Sequence, residues 1–274
     1  MMEYSDTEVI LEHMSPVVVV GSSRSGTSLV SGILHACGCH MGYVQSNNNE
    51  SKLFQNINRD ILDIIGASWR CLDPLPDVEV LYNKYEYLSD IMRCAIQSHI
   101  AELDVQTEIL SDQVWGWKDP RSSLTLPLWR RVFPKARILH VVRDGRVAAL
   151  SLKKREDHRH ASEYQTYDAA KERFEKDVNV WREYLLRITG AASFFEINTL
   201  VQYEHLVENP LETVRRMLRE LHLREPENLE QIVNVVRQPD SVDYSDLSGS
   251  ALEFEEFVSE VLAFVKARQN SRNA

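Results

Sequence analysis

Four consecutive β-branched residues, Val17-Val18-Val19-Val20, follow Pro16, the pattern of a central parallel strand covered on both faces. The chain then turns polar through Gly21-Ser22-Ser23-Arg24-Ser25-Gly26. Beyond Ser25, Leu29, Ile33, Leu34 and Cys37 return on one helical stripe. The same switching of period continues downstream. A helix is predicted over 53–65, where Leu53, Ile57, Ile61, Leu62 and Ile65 share a face and Gly66 closes the last turn. One helix is predicted over 81–103 on the stripe Leu88, Ile91, Met92, Ala95 and Ile96. Residues 115–118 read as a short strand, stopped by Asp119-Pro120, with a helix over 121–133. A second clear buried strand, 137–142, leads into a helix beginning at 147–152, and a long charged helix is predicted over 162–188. Residues 194–197 and 200–203 are strand candidates, and helices are predicted over 210–221, 227–236 and 252–267. The polar stretch 237–250 reads as a lid or a loose segment. Residues 38–51, polar and turn-rich, read as a mobile loop beside the first turn. Strands alternating with helices imply an α/β fold with a parallel sheet.

Composition narrows the partners. A chain of 274 residues buries a substantial core and is most simply one domain. Its formal charge of −10 argues against a general nucleic-acid surface or an anionic membrane as partner. No apolar run approaches the roughly 18 residues of a membrane span, and the acidic start, Met1-Met2-Glu3, lacks a signal-peptide core. The expected location is cytoplasmic. Cys37, Cys39, Cys71 and Cys94 form no C-x-x-C pair and have no histidine at zinc spacing, so no metal site is expected.

The chemistry begins at the first turn. A strand running into a glycine-bounded turn and then a helix aims backbone N–H groups and the positive helix end at an anion. Gly21 and Gly26 allow close approach, and Ser22, Ser23, Ser25, Thr27 and Ser28 add hydroxyls. The Gly21-to-Gly26 spacing matches the Walker A frame, so the sheet is expected to be P-loop-like. Position 27 is Thr, however, where that motif requires Lys, which disfavours γ-phosphoryl transfer. The second cluster is Val142-Arg143-Asp144-Gly145-Arg146 through Ser151. A strand delivers a guanidinium at its carboxyl end, where ligands bind in such sheets, and a hydroxyl follows eight residues later. Arg143 with Ser151 can grip a second phosphate. An ATPase would carry an acidic Mg²⁺ ligand at that strand end. The alternative is that Arg143 or Arg146 merely pairs with Asp144 on the surface.

Together these segments resemble the sulfotransferases that use 3′-phosphoadenosine-5′-phosphosulfate (PAPS), from Val17 to about Leu221. Ser23-Arg24-Ser25-Gly26-Thr27-Ser28 is similar to the family's 5′-phosphosulfate loop in its arginine form, as in tyrosylprotein sulfotransferases and many bacterial members. Residues 142–151 resemble the 3′-phosphate motif, Trp117-Lys118-Asp119-Pro120-Arg121 the Lys-Asp-Pro element beside the sulfuryl group, and Gln202-Tyr203-Glu204-His205-Leu206 the Tyr-Glu-Asp-Leu segment near the nucleotide. The resemblance implies a nucleotide-binding core over about 16–222 and a C-terminal helical extension over about 223–274. It implies sulfuryl transfer without a metal from PAPS to a hydroxyl or amine of a small-molecule acceptor, releasing 3′-phosphoadenosine-5′-phosphate (PAP). Arg24 and the N–H groups of 25–28 would hold the 5′-phosphosulfate, Arg143 and Ser151 the 3′-phosphate, and Lys118 the bridging or sulfuryl oxygens. Tyr203 would lie at the adenine; its alternative is a core tyrosine, and that of Lys118 a solvated lysine.

The general base departs from the family pattern. Where many bacterial relatives read Gly-Tyr-Phe-Glu-Asn, this chain reads Lys52-Leu53-Phe54-Gln55-Asn56, and Gln55 cannot take a proton. Glu50 is the first candidate to replace it, followed by His40 and Asp119; His35 and His140 read as packing residues. The Arg-Lys-Gly element of the cytosolic enzymes has no clear counterpart, with Arg237 the one suggested substitute. Two other classes stay open at this point, a P-loop kinase with a degenerate loop and a catalytically silent nucleotide-binding regulator. Trp69, Tyr82, Tyr85 and Tyr87 are candidates for an aromatic acceptor wall.

Overall fold

A computed structural model describes residues 11–42, 50–100, 114–157, 167–234 and 236. The chain divides into a unit of residues 1–237 and a second of 238–274, so the polar stretch 237–250, Arg237 and the helix expected over 252–267 lie outside the described residues.

The first unit is an α/β layer structure. β1 (Val17–Val20), β2 (Gly116–Lys118), β3 (Arg137–Val142) and β4 (Ile197–Gln202) form one sheet in the order β2-β1-β3-β4, with every pair parallel. The register sets Val19 opposite both Lys118 and Leu139. Between β1 and β2 run α1 (Thr27–Ala36), α2 (Lys52–Ile65), α3 (Val78–Lys84) and α4 (Glu86–Ile100). α5 (Ser122–Val132) joins β2 to β3, and α6 (Gly145–Asp157) and α7 (Tyr167–Ala192) precede β4. α8 (Tyr203–Glu208), α9 (Pro210–Glu220) and α10 (Leu229–Val233) follow it. Among the described residues no helix is long and apolar enough to cross a membrane.

The strands are apolar throughout because both faces are buried. Successive side chains point to opposite sides. Val18, Val20, Trp117 and Ile138 pack with α2 and α5 side chains, whereas Val17, Val19, Leu139, Val141 and Val201 pack with α1, α9 and α10. The chain leaves β1 to one side for β2 and then crosses to the other side for β3. The β1/β3 boundary is therefore the topological switch point, where the carboxyl ends of an open parallel sheet leave a crevice.

Three expected elements differ. The helix expected over 81–103, of which residues 101–103 lie outside the described residues, is two, broken at Tyr85, whose φ of −116° and ψ of 35° are not helical; Leu81 and Leu88 on either side both reach the core. The two strands expected at 194–197 and 200–203 are one. Phe194 and Phe195 lie in the preceding turn, with Phe195 buried, while the polar Asn198 and Thr199 lie within β4 and Thr199 is buried there. Tyr203 begins α8 rather than ending a strand.

Candidate active site

The turn between β1 and α1 lies at the switch point. Two of its residues take left-handed backbone, Arg24 at φ 70° and Gly26 at φ 92°. Ser25 N donates to Ser22 O at 3.3 Å, and the Ser22 and Ser25 hydroxyls are 2.5 Å apart. Gly21 is tied to α5, its N–H donating to Ser123 Oγ at 3.1 Å and its carbonyl accepting from that hydroxyl at 3.2 Å. A side chain at Gly21 would meet Val141 O at 2.6 Å, so β3 passes too close for any other residue. α1 starts without a side-chain cap, which leaves its N-terminal dipole directed at the turn.

Around this turn the structure gathers the residues singled out from the second cluster. Arg24 Nε donates to Ser151 Oγ on α6 at 3.0 Å, and Arg143 Nη1, from the end of β3, donates to Arg24 O at 3.3 Å. The Arg143 guanidinium lies 4.3 Å from the centre of the Tyr203 ring. That ring in turn covers Gly26: a Cβ there would fall 2.3 Å from Tyr203 Cδ2. Tyr203 is thus a half-buried wall of the turn, not a core tyrosine. Asp144 pairs with Arg146, Oδ2 to Nη2 at 2.6 Å, and accepts from the Arg146 N–H as well. The surface ion pair is therefore Arg146's, and Arg143 faces the turn. Glu204 Oε1 accepts from Asp144 N at 3.1 Å, which fixes the β3–α6 turn against α8.

Lys118 ends β2 beside β1. Its side chain is 1 % exposed and its Nζ lies 3.0 Å from Glu50 Oε1, whose side chain is 15 % exposed. A solvated lysine is excluded. Burial pulls its ammonium below the ordinary lysine range, and Glu50 opposes that. Gln55 Nε2 donates to the other carboxylate oxygen, Glu50 Oε2, at 2.6 Å. The candidate base and the candidate electrophile thus form one pair, with the residue at position 55 touching it.

Of the other base candidates, Asp119 adjoins this pair and His40 does not. Asp119 is fully buried and holds Arg121 Nη1 at 3.0 Å and Asn58 Nδ2 at 2.8 Å. Burial raises its pKa, and Arg121 opposes the rise. His40 bridges to Trp115, at the opposite end of β2 from Lys118, roughly 10 Å back along the strand at about 3.3 Å per residue. His140 is buried in β3, whereas His35 is exposed on α1, its ring edge-on to that of His40 with centres 6.2 Å apart. Within the loop expected over 38–51, residues 43–49 lie outside the described residues.

Sequence reasoning missed Asn58. Its carbonyl accepts from Thr125 Oγ1 at 2.5 Å and Trp129 Nε1 at 2.9 Å, and its amide donates to Asp119 Oδ2 and Ser122 Oγ, both at 2.8 Å. A polar residue among Phe54, Ile57, Ile61 and Leu62 on one helical face was the available signal. Also missed was a cleft beside the turn, lined by Ser22, Ser23, Trp69, Ala148, Ala149, Leu152, Asp177, Val180, Trp181 and Tyr184. Of the four aromatic candidates only Trp69 borders it. Tyr82 packs on Phe194 with ring centres 5.0 Å apart, and Tyr85 and Tyr87 pack on each other.

A family model described as "Sulfotransferase family" matches residues 16–227. No curated protein matches the chain. Among solved structures, a sulfotransferase from Alicyclobacillus acidocaldarius is similar with a TM-score of 0.58 at 14% identity, over 92% of this chain and 96% of that one. The sulfotransferase STF9 from Mycobacterium avium gives 0.56 at 15% identity, over 95% and 79%. STF1 from Mycobacterium tuberculosis H37Rv gives 0.54 at 17%, over 93% and 78%. At these identities the likeness is one of fold.

Proposed function

The chain belongs to the sulfotransferase family, and from that premise we propose that it moves the sulfuryl group of PAPS to a hydroxyl or amine of a small-molecule acceptor in the cytoplasm. The observation that carries the reading is the convergence of Arg24, Arg143 and Ser151 on one turn, joined by the contacts of 3.0 and 3.3 Å. Two guanidiniums, a hydroxyl and an uncapped helix N-terminus make a donor set that fits two separate phosphate-type anions, and the Tyr203 ring supplies an aromatic face beside them. PAPS supplies an activated sulfuryl group whose transfer leaves charge on a 5′-phosphate.

In this reading Ser23, Arg24, Ser25, Gly26, Thr27 and Ser28 hold the 5′ end, Arg143 and Ser151 the 3′-phosphate, and Tyr203 the adenine. Lys118, buried at the end of β2, provides fixed positive charge where negative charge grows, and acts most strongly where water is excluded. Side-chain cations thereby take the part that Mg²⁺ plays in phosphoryl transfer. Glu50 takes the acceptor proton; its carboxylate already lies 3.0 Å from the Lys118 ammonium. Family membership sets the kinase reading aside, and the Glu50 carboxylate beside Gln55 supports catalysis over a silent regulator.

Ligand-dependent melting tests the assignment. PAP at a hundred times its Kd should stabilise the protein by about 2.7 kcal/mol, and AMP at the same concentration by far less. Lys118→Ala should keep the PAP shift and reduce turnover of PAPS roughly a hundredfold. Equal shifts from PAP and AMP would remove the role of Arg143 and Ser151.

A further inference from the structure

The carboxylate on which the proposed reaction relies belongs to no helix or strand. Glu50 lies just ahead of α2, and its two oxygens are held from two different elements. Lys118 Nζ on β2 reaches Oε1 at 3.0 Å, and Gln55 Nε2 on α2 reaches Oε2 at 2.6 Å. Gln55 is itself firmly mounted. It sits in the first turn of α2, where its N–H donates to Ser51 O at 3.0 Å. The preceding residue, Phe54, lies face to face on Trp117, with ring centres 4.0 Å apart and planes 4° from parallel. Trp117 is the residue before Lys118. One turn further along α2, Asn58 bonds Asp119, the residue after Lys118, at 2.8 Å. Contacts on both sides of Lys118 therefore fix the position-55 amide relative to its ammonium.

An amide donates a hydrogen bond at every pH and cannot exchange a proton with the acceptor. Its value here is geometric. A carboxylate bound through a single oxygen still turns about its own axis, whereas one bound through both oxygens from two rigid elements does not. We infer that Gln55 is a positioning residue for Glu50: its amide holds one carboxylate oxygen so that the other is kept at Lys118, where the acceptor's proton is taken. The inference rests on the reading of Glu50 as the base. It accounts for a glutamine at a position where an acid was looked for, since the acid is supplied by residue 50 and aimed by residue 55.

The test is a double-mutant cycle joined to a structure. Gln55→Met keeps the length of the side chain and removes the donor. The wild type, Glu50→Gln, Gln55→Met and the double variant are compared with PAPS and phenol as the probe acceptor, together with PAP titrations and a ligand-free crystal structure of Gln55→Met. The expected results are a fall in kcat of roughly tenfold or more for Gln55→Met, a PAP Kd within twofold of wild type, and a double variant no slower than Glu50→Gln alone. In the crystal, Glu50 Oε1 should have left hydrogen-bonding reach of Lys118 Nζ. A double variant whose loss is the product of the two single losses overturns the inference, as does a Gln55→Met crystal with the Glu50–Lys118 contact unchanged. Full activity in Glu50→Gln would instead remove the base assignment, and the crystal would still decide whether Gln55 sets the position of that carboxylate.

Discussion

Replacing Asn58 with leucine, which keeps the branched four-atom skeleton but replaces both polar atoms with methyl groups, should cost about 3–5 kcal/mol of stability. Asn58 is wholly buried, and each of its polar atoms is used. The substitution removes the hydrogen bond to the buried Asp119 carboxylate at 2.8 Å, a charge-assisted contact worth about 1.5–3 kcal/mol. It also strips the Trp129 indole N–H of its acceptor at 2.9 Å, and a buried donor left unsatisfied costs about 1–3 kcal/mol. Other losses are cushioned. Ser122 Oγ keeps the Trp117 indole at 3.0 Å, Thr125 Oγ1 keeps Arg121 O at 3.4 Å, and Asp119 keeps Arg121. Burial of the leucine side chain offsets part of the remainder, which leaves the stated range. Set against a total stability of about 5–15 kcal/mol, that is a large fraction. Urea denaturation followed by tryptophan fluorescence reads it directly, with the midpoint falling and the slope unchanged. A loss below about 1 kcal/mol would refute the reasoning, because it would mean that Asp119 and Trp129 find other partners at no cost.

Two further outcomes follow from the same sheet. His140, 5 % exposed in β3, has its pKa pulled by burial from 6.5 to about 3, so the folded protein stays neutral there while the unfolded chain takes up a proton below pH 6.5. Stability is then lost as pH falls, by roughly 2 kcal/mol between pH 6.5 and 4.5. His140→Leu should lack this component, so its urea midpoint relative to wild type should rise at pH 4.5 compared with pH 7.5; a constant difference would contradict the assignment. Gly26→Ala should place a methyl carbon 2.3 Å from Tyr203 Cδ2 at a residue with φ of 92°. Displacing that ring moves Arg143 with it, so PAP affinity by calorimetry should fall at least tenfold, and an unchanged Kd would show that Tyr203 does not shape the nucleotide site.

Legibility followed burial. β1 and β3 could be read because both faces are covered, which makes their strands continuous apolar runs. β4 could not, since Asn198 and Thr199 interrupt the apolar pattern although Thr199 is buried within the strand. Tyr85 breaks the helix expected over 81–103 with no glycine or proline to announce it. At the site, Arg24, Arg143 and Ser151 were visible from local spacing, because strand ends and helix starts leave signatures within a few residues, whereas Lys118 was singled out by the family resemblance alone. Glu50 was named as a candidate base, but its pairing with Lys118 was not legible, nor was the part played by Asn58. Glu50 meets Lys118 across 68 residues and Asn58 meets Asp119 across 61, and such pairings depend on how α2 crosses β2, which no local pattern encodes.

That crossing explains why core and site cannot be separated here. Phe54, Gln55 and Asn58 occupy the first two turns of α2 and perform three tasks within them: Phe54 stacks on Trp117, Gln55 reaches Glu50, and Asn58 bonds Asp119. Trp117, Lys118 and Asp119 are consecutive, so the strand is gripped on both sides of the lysine by the helix that also aims its carboxylate partner. A shift of α2 along its axis by one residue, about 1.5 Å, would break the aromatic stack and the Asp119 bond together, and both lie in a close-packed interior that resists such sliding. The rigidity that holds Glu50 at 3.0 Å from Lys118 is therefore drawn from the aromatic cluster of Phe54, Trp117, Trp129 and Phe133 behind it, and core substitutions in that cluster should lower turnover before they unfold the chain.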